Sequence, residues 1–419
     1  MPDLFLLLAQ IVVVLLAARV CGRLMRRIGQ PQVVGEMVAG IALGPSLFGA
    51  LAPDTWAALF PAASLGFVNT LSQLGLILFM FLVGLELDTS SLRSRGRAAL
   101  IISSASIAAP FALGAALATV LHASLAPDGV NMTSFALFLG AAMSVTAFPV
   151  LARILEERGL MRSPIGSLAI ACAAVGDVSA WLILAVVVSI VRSGESVSLL
   201  LTFGGTLAYV GVMLTVGAWA LSRFGRRVSE SGTIAQGELA AVLIVVLVSA
   251  GITELLGIHA LFGAFLTGAV MPRDDRFRHA VSSRFEDLLV AFLLPLFFAF
   301  TGLRTQMGLM VADAGQLFAL AMILLVAVAG KFGGTAVAAR LTGMSWRGAS
   351  VLGALMNTRG LMELVILNIG LDIGVISPTL FAMMVFMAIA TTLITSPVVA
   401  RLSRGLADAR PVPSAARVA

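Results

Sequence analysis

Apolar runs of about 20 residues follow one another along almost the whole chain, with short polar breaks between them. A helix of that length crosses a hydrocarbon core of about 30 Å. Within a run the apolar residues do not alternate with period two, which argues against the strands of a transmembrane barrel. The pattern predicts thirteen helical spans, at 4–20, 32–49, 65–85, 97–121, 132–155, 164–191, 198–222, 238–254, 258–271, 285–303, 314–340, 348–370 and 377–400. The first run has Asp3 and no basic residue before it, and its Arg cluster follows. That order suits a retained first helix rather than a cleaved signal segment.

Composition agrees with an all-α polytopic membrane protein. Apolar residues make up 59% of the 419 positions and charged residues 11%, against roughly 25% charged in soluble chains. The arginines order the topology. Arg19, Arg23, Arg26 and Arg27 follow the first span, and further clusters follow the other odd-numbered spans; Arg192 and Arg304 are the exceptions. The positive-inside rule then puts the N-terminus outside and the C-terminus in the cytoplasm, across what is expected to be a bacterial inner membrane. It also divides 238–271 into two spans, because basic clusters flank that region on both sides. The net charge of +6 thus reflects loops against a lipid bilayer and implies no nucleic acid. Cys21 and Cys172 suggest no disulfide framework. Residues 1–400 are expected to form the membrane domain and 401–419 a short disordered cytoplasmic tail, with no regulatory domain after it.

An inverted repeat is expected within the membrane part. The third span closes on Gly84-Leu85-Glu86 and the tenth on Gly302-Leu303-Arg304. The second carries Gly40, Gly44 and Pro45, and the ninth carries Gly263, Gly268 and Pro272. Partners lie seven spans apart and so run in opposite directions. Two units, about 4–191 and 238–400, are joined on this reading by a linker helix at 198–222. Chance similarity between apolar helices is the plainer alternative. Inverted repeats mark many secondary transporters, whose sites lie near the midplane.

The charges inside the spans carry the chemistry. Asp177 stands midway through the sixth span, where a carboxylate costs about 2.5–3.5 kcal/mol on insertion scales. It needs a partner, water or a proton, and Gly176 beside it is expected to admit a close neighbouring backbone. Lys331 is the only lysine in the chain. It lies about 15 Å inside the eleventh span at 1.5 Å per residue, a depth matching that of Asp177. Either a static salt bridge or an ion-handling role fits it. Arg359 and Glu363 stand at spacing i, i+4 in the twelfth span, preceded by Asn357 and Thr358. They read equally as a pair holding a helix crossing or as ion-handling groups. The fifth span has Ser144, Thr146 and Pro149 at the corresponding place. Two weakened helices in matching positions point to a transport site. Glu36, Glu86 and Glu254 near span ends read as snorkelling or capping groups. His122, His259 and His279 form no metal cluster. No nucleophile, phosphate loop or metal motif points to an enzyme, and no cofactor is expected.

These motifs resemble a known family. Ser144-Val145-Thr146-Ala147-Phe148-Pro149, Asp177-Val178-Ser179-Ala180-Trp181, Lys331-Phe332-Gly333-Gly334-Thr335 and Asn357-Thr358-Arg359-Gly360-Leu361-Met362-Glu363 are similar to segments of the monovalent cation:proton antiporter-2 family. The likeness is strongest to its plant cation/proton exchangers and Kef-type members. The resemblance implies a core with two crossing broken helices, a separate dimerisation domain, hence a homodimer, and alternating access. It implies that Asp177 binds cation or proton, with Thr146 and Ser144 in the first broken helix beside it. Lys331, Arg359, Glu363 and Asn357 become charge-compensating or structural core residues. Gly176 departs from the family, in which Asn, Asp or Gln often precedes the aspartate.

One shared carboxylate is enough for exchange. A proton and Na⁺ or K⁺ compete for Asp177, and the empty charged site is costly to carry through an apolar barrier. Movement then occurs mainly when the site is loaded, and the expectation is electroneutral one-for-one exchange. The only metal involved is the transported monovalent cation. A cation channel or ion-responsive receptor on the same scaffold would show flux without proton counterflow. A small-molecule exporter would need a larger cavity with aromatic and polar lining.

Overall fold

The computed structural model describes residues 4–86, 96–161, 163–192, 196–231, 234–272 and 274–403. At Asp177, Trp181 and some other helical positions it describes the backbone without the side chain. The expected tail lies outside the described residues from 404 onward, as do Arg93, Arg95, Arg162 and Arg273.

All regular structure among the described residues is helical. Short polar residues start the helices. Asn131 accepts from the amide of Ser134, Asp313 from Gln316, Ser345 from Gly348 and Ser377 from Leu380. Each satisfies an orphan donor of the first turn. Nine described helices are long and apolar enough to cross a membrane, or ten if Trp346–Met356 and Leu361–Asp372 count as one span bent by 45°. The predicted spans at 132–155, 164–191 and 258–271 do not enter that count. Ala260–Val270 has 11 residues, about 16 Å of helix at 1.5 Å per residue and roughly half the hydrocarbon thickness. It is shortened by a tight turn in which Gly257 and His259 take positive φ angles of 80° and 77°. Glu254 accepts from the amide of Ala260 at 2.9 Å across that turn, so it caps the next helix.

The chain divides into two compact units. The first comprises residues 1–24, 35–88 and 181–306. Helices Gln32–Leu43, Ala62–Glu86, Ala260–Val270 and Leu294–Leu303 meet there through glycines. A Cβ at Gly40 would stand 2.6 Å from Cα of Ala299, and one at Gly302 would overlap the backbone of Gly40 and Ile41. Likewise a Cβ at Gly84 would overlap the backbone of Phe265, and one at Gly268 that of Phe81. The second span thus packs on the tenth, and the ninth on the third. Exchanging the two halves of the expected repeat would turn one contact into the other. Between helices in lipid, close backbone approach supplies the packing energy that water would otherwise drive. Glu36 is 6% exposed, so it is a buried group of this unit rather than a snorkelling one.

The second unit comprises residues 25–34, 89–180 and 307–419. It holds both weakened spans. Met132–Ser144 ends at Val145-Thr146-Ala147 and the chain resumes as Phe148–Glu157. Trp346–Met356 ends at Asn357-Thr358-Arg359-Gly360 and resumes as Leu361–Asp372. Pro149, second in its half-helix, lacks an N–H that an interior helical position would need. Gly114 and Gly140 seat Gly96–Leu125 on the first broken span. Gly353 seats the second broken span on the backbone of Phe332.

Candidate functional site

The two breaks meet. The amide of Ala147 donates to the carbonyl of Thr358 at 3.0 Å. The hydroxyl of Thr146 donates to the carbonyl of Met356 at 3.1 Å. Each break therefore satisfies backbone groups that the other leaves open, which is the condition for irregular backbone at membrane depth. Thr358 closes its own helix end through a hydroxyl bond to Leu355 at 2.8 Å. Ser144, the last residue of its half-helix, returns its hydroxyl to the carbonyl of Ala141 at 2.8 Å.

Fixed charges sit on the half-helix ends. The guanidinium of Arg359 is fully buried. It donates to the carbonyls of Met143 at 3.0 Å and Ala142 at 3.3 Å, and to Glu363 at 2.8 Å. The carbonyls belong to the last turn of Met132–Ser144, where a helix presents its negative pole. Glu363 lies in the first turn of Leu361–Asp372, where the pole is positive. The sequence spacing predicted that Arg359 and Glu363 share a helical face. They do pair, but Arg359 lies in the break, ahead of the helix that carries Glu363. Thr392 fixes Arg359 by its backbone, accepting from its amide at 3.0 Å and donating to its carbonyl at 2.7 Å.

Lys331 is also fully buried, within a π-helical turn at Ala329–Gly333. Its ammonium donates to Thr146 Oγ1 at 2.7 Å and to the carbonyl of Ser106 at 3.0 Å. The structure thus brings Thr146, Ser144, Lys331, Asn357, Arg359 and Glu363 to one crossing. Asn357 Oδ1 and Glu363 Oε2 are buried there, and Thr335 Oγ1 one helical turn beyond Lys331, without a hydrogen-bond partner among the described residues. Oxygens of this kind suit water or a monovalent cation. Among the described residues no group of three His, Cys, Asp or Glu side chains can hold a metal ion.

Asp177 belongs to Pro164–Arg192, in the part of that helix assigned to the second unit. Its side chain lies outside the described residues, and so does any meeting with Lys331. Among the described residues no atom lies within 4 Å of a Cβ built at Gly176, so the expected close neighbour is not found among them. Sequence reasoning passed over Ser106, Pro110 and Thr392. The first and third act through backbone contacts that only folding creates. Pro110, a proline inside an apolar run, was the available signal.

Comparison with known proteins places this arrangement. Residues 11–404 match the family model described as sodium/hydrogen exchanger, transmembrane. The chain is 44% identical over 401 residues to the Na(+)/H(+) antiporter NhaS4 of a Synechocystis species, covering 95% of this chain and 97% of that one. It is 42% identical to Cation/H(+) antiporter 18 of Arabidopsis thaliana and 35% identical to K(+)/H(+) antiporter 1 of Saccharomyces cerevisiae. Those matches cover 94% and 88% of this chain but only 48% and 43% of the two relatives. The fold matches the sodium proton antiporter MjNhaP1 of Methanocaldococcus jannaschii with a TM-score of 0.63 at 16% identity, covering 96% of this chain and 98% of that one. These findings define a multi-pass helical membrane protein of the transporter class. The chain belongs to the sodium/hydrogen exchanger family, which is not an enzyme family.

Proposed function

We propose that the protein exchanges Na⁺ or K⁺ for H⁺ by alternating access, with the carboxylate of Asp177 binding cation or proton in competition. The crossing of two broken helices carries this reading. The half-helix poles there are already met by Arg359 and Glu363, which frees one further carboxylate to bind the transported ion. Thr146 and Ser144 offer hydroxyl oxygens beside it, and Asn357 an amide oxygen. Loading by a cation or a proton neutralises the same group, so the two flows are coupled and the exchange is electroneutral. The relatives' names, which include both Na(+)/H(+) and K(+)/H(+) antiporters, support the substrate class.

Repeats at about 4–191 and 238–400 around a linker helix at 198–222 give the alternating geometry, and the exchanged glycine contacts of the first unit support them. A homodimer in the lipid bilayer, with the N-terminus outside and the C-terminus cytoplasmic, completes the reading; the arginine distribution supports the orientation. The test is a pH-gradient dequenching assay in proteoliposomes with Li⁺, Na⁺, K⁺ and Rb⁺ in turn. Wild-type protein collapses the gradient with at least one cation and Asp177→Asn does not. Exchange retained by Asp177→Asn defeats the assignment, and protons accumulated by voltage alone defeat electroneutrality.

A further inference from the structure

The turn between the first two helices is gripped by the last one. Helix Leu4–Arg27 closes at Gly29, whose φ of 71° lets the amides of Gly29 and Gln30 return to the carbonyls of Arg26 and Met25 at 3.1 and 2.9 Å. Pro31 bars continuation, and Gln32–Leu43 begins. The turn is thus a stiff hook with its own amides satisfied. A Cβ at Gly35 would overlap the backbone of Cys21 and Gly22, so the two helices are locked together beside the hook. Residues 1–24 and 35–88 lie in the first unit, yet residues 25–34 belong to the second. Helix Pro378–Leu402 supplies the grip. Pro397 has no amide for the carbonyl of Leu393, and Gln30 Nε2 donates to that carbonyl at 3.3 Å. Ser396 Oγ donates to the carbonyl of Gly29 at 3.5 Å and accepts from Arg158 Nη2 at 2.9 Å. Val33 packs against a buried apolar cluster that includes Val399.

We infer that the Gly29–Gln30 turn is a latch that seats on the last helix and lifts off it during exchange. The inference rests on the alternating-access reading proposed above. Leu393 is the neighbour of Thr392, which holds the break at Arg359 through two backbone hydrogen bonds. A seated hook therefore restrains the stretch of helix that supports the ion site. Its hold is weak by construction. The two bonds to the hook, at 3.3 and 3.5 Å, are long and join neutral groups. Gln30 Oε1 is buried without a hydrogen-bond partner among the described residues, a cost that hydration relieves on release. Gly29 and Arg158 are exposed, so water reaches the edge of the contact and can serve the Leu393 carbonyl once Gln30 leaves. The helices that carry the hook meet backbone to backbone at Gly35, so the hook gives way before they do.

The test uses the full chain with Cys21→Ala and Cys172→Ala, so that only introduced thiols react. Gln30→Cys and Leu393→Cys are joined in proteoliposomes by a short, reducible bifunctional methanethiosulfonate, and intact mass confirms the link. Linking should abolish exchange in the dequenching assay, and reduction should restore it. The same double variant carrying the monofunctional reagent at both thiols is the control and still exchanges. A second arm needs no transport. Val33→Cys reacts with a soluble maleimide only when the hook lifts, and Gln30→Ala should quicken that reaction about fivefold, as fits the loss of one neutral hydrogen bond. Linked protein that exchanges as fast as reduced protein overturns the inference, because the turn then stays seated throughout the cycle. A maleimide rate left unchanged by Gln30→Ala overturns it too, and a pair that never links overturns the seated contact itself. Wild-type protein that exchanges no cation for protons overturns the proposed function instead, while the maleimide arm still decides the latch.

Discussion

Arg359 makes the sharpest prediction about what holds the crossing together. Arg359→Met keeps much of the side-chain volume and removes three hydrogen bonds, to Glu363 Oε1 at 2.8 Å and to the carbonyls of Met143 and Ala142 at 3.0 and 3.3 Å. Both charged groups are fully buried, so Glu363 is left as an uncompensated charge. Breaking a buried pair from one side costs about 3–5 kcal/mol. The double variant Arg359→Met/Glu363→Gln removes the stranded charge and leaves only the two carbonyls without their donor. That should cost about 1–3 kcal/mol. The double variant should therefore be more stable than Arg359→Met alone, by roughly 2 kcal/mol. Arg359→Lys should fall between them, since one ammonium cannot bridge three acceptors as a planar fork does. Equilibrium unfolding in mixed micelles, followed by tryptophan fluorescence, measures all four proteins. Arg359→Met within about 0.5 kcal/mol of wild type, or a double variant no more stable than Arg359→Met, refutes the reasoning. Exchange by the same proteins separates the two roles read from the sequence. A holding pair predicts that the double variant still exchanges below its unfolding temperature. Lost exchange at near-native stability assigns the pair to ion handling.

Other predictions follow from single contacts. Gly302→Ala should cost about 1–3 kcal/mol, because its Cβ meets the backbone of Gly40 and Ile41 rather than a movable side chain. Gly176→Ala should leave stability unchanged or raise it by up to about 1 kcal/mol, since no described atom stands within 4 Å of its Cβ; thermal unfolding of both variants in one detergent checks the contrast. Thr392→Val keeps the shape and loses both hydrogen bonds to the Arg359 backbone, for a loss of about 1–3 kcal/mol in the same micelle titration. Wild-type stability in Thr392→Val means that the break is held by its other contacts.

Much of the molecule is legible from residue order alone, because a bilayer leaves few solutions. Apolar runs about 20 residues long must become helices, since lipid offers no other partner for the backbone. The same constraint made Asp177, Lys331, Arg359 and Glu363 stand out, as each is costly unless matched. The weakened spans were visible in Thr146 and Pro149 and in Asn357 and Gly360. Partnership was not visible. Arg359 and Glu363 pair as their spacing suggested, yet across a break, and the guanidinium also closes a helix more than 200 positions earlier in the chain. Glycine spacing suggested that Gly40 and Gly84 correspond to Gly268 and Gly302, but not that Gly40 seats on Gly302 and Gly84 on Gly268. Pro110 reads as a mere interruption until folding brings Lys331 to the carbonyl it releases. Sequence determined which groups had to be satisfied, because burial in lipid is a local penalty each residue carries with it. Only the tertiary structure decided which group satisfies which, because hydrogen bonds act over about 3 Å and that proximity is made by packing between distant helices.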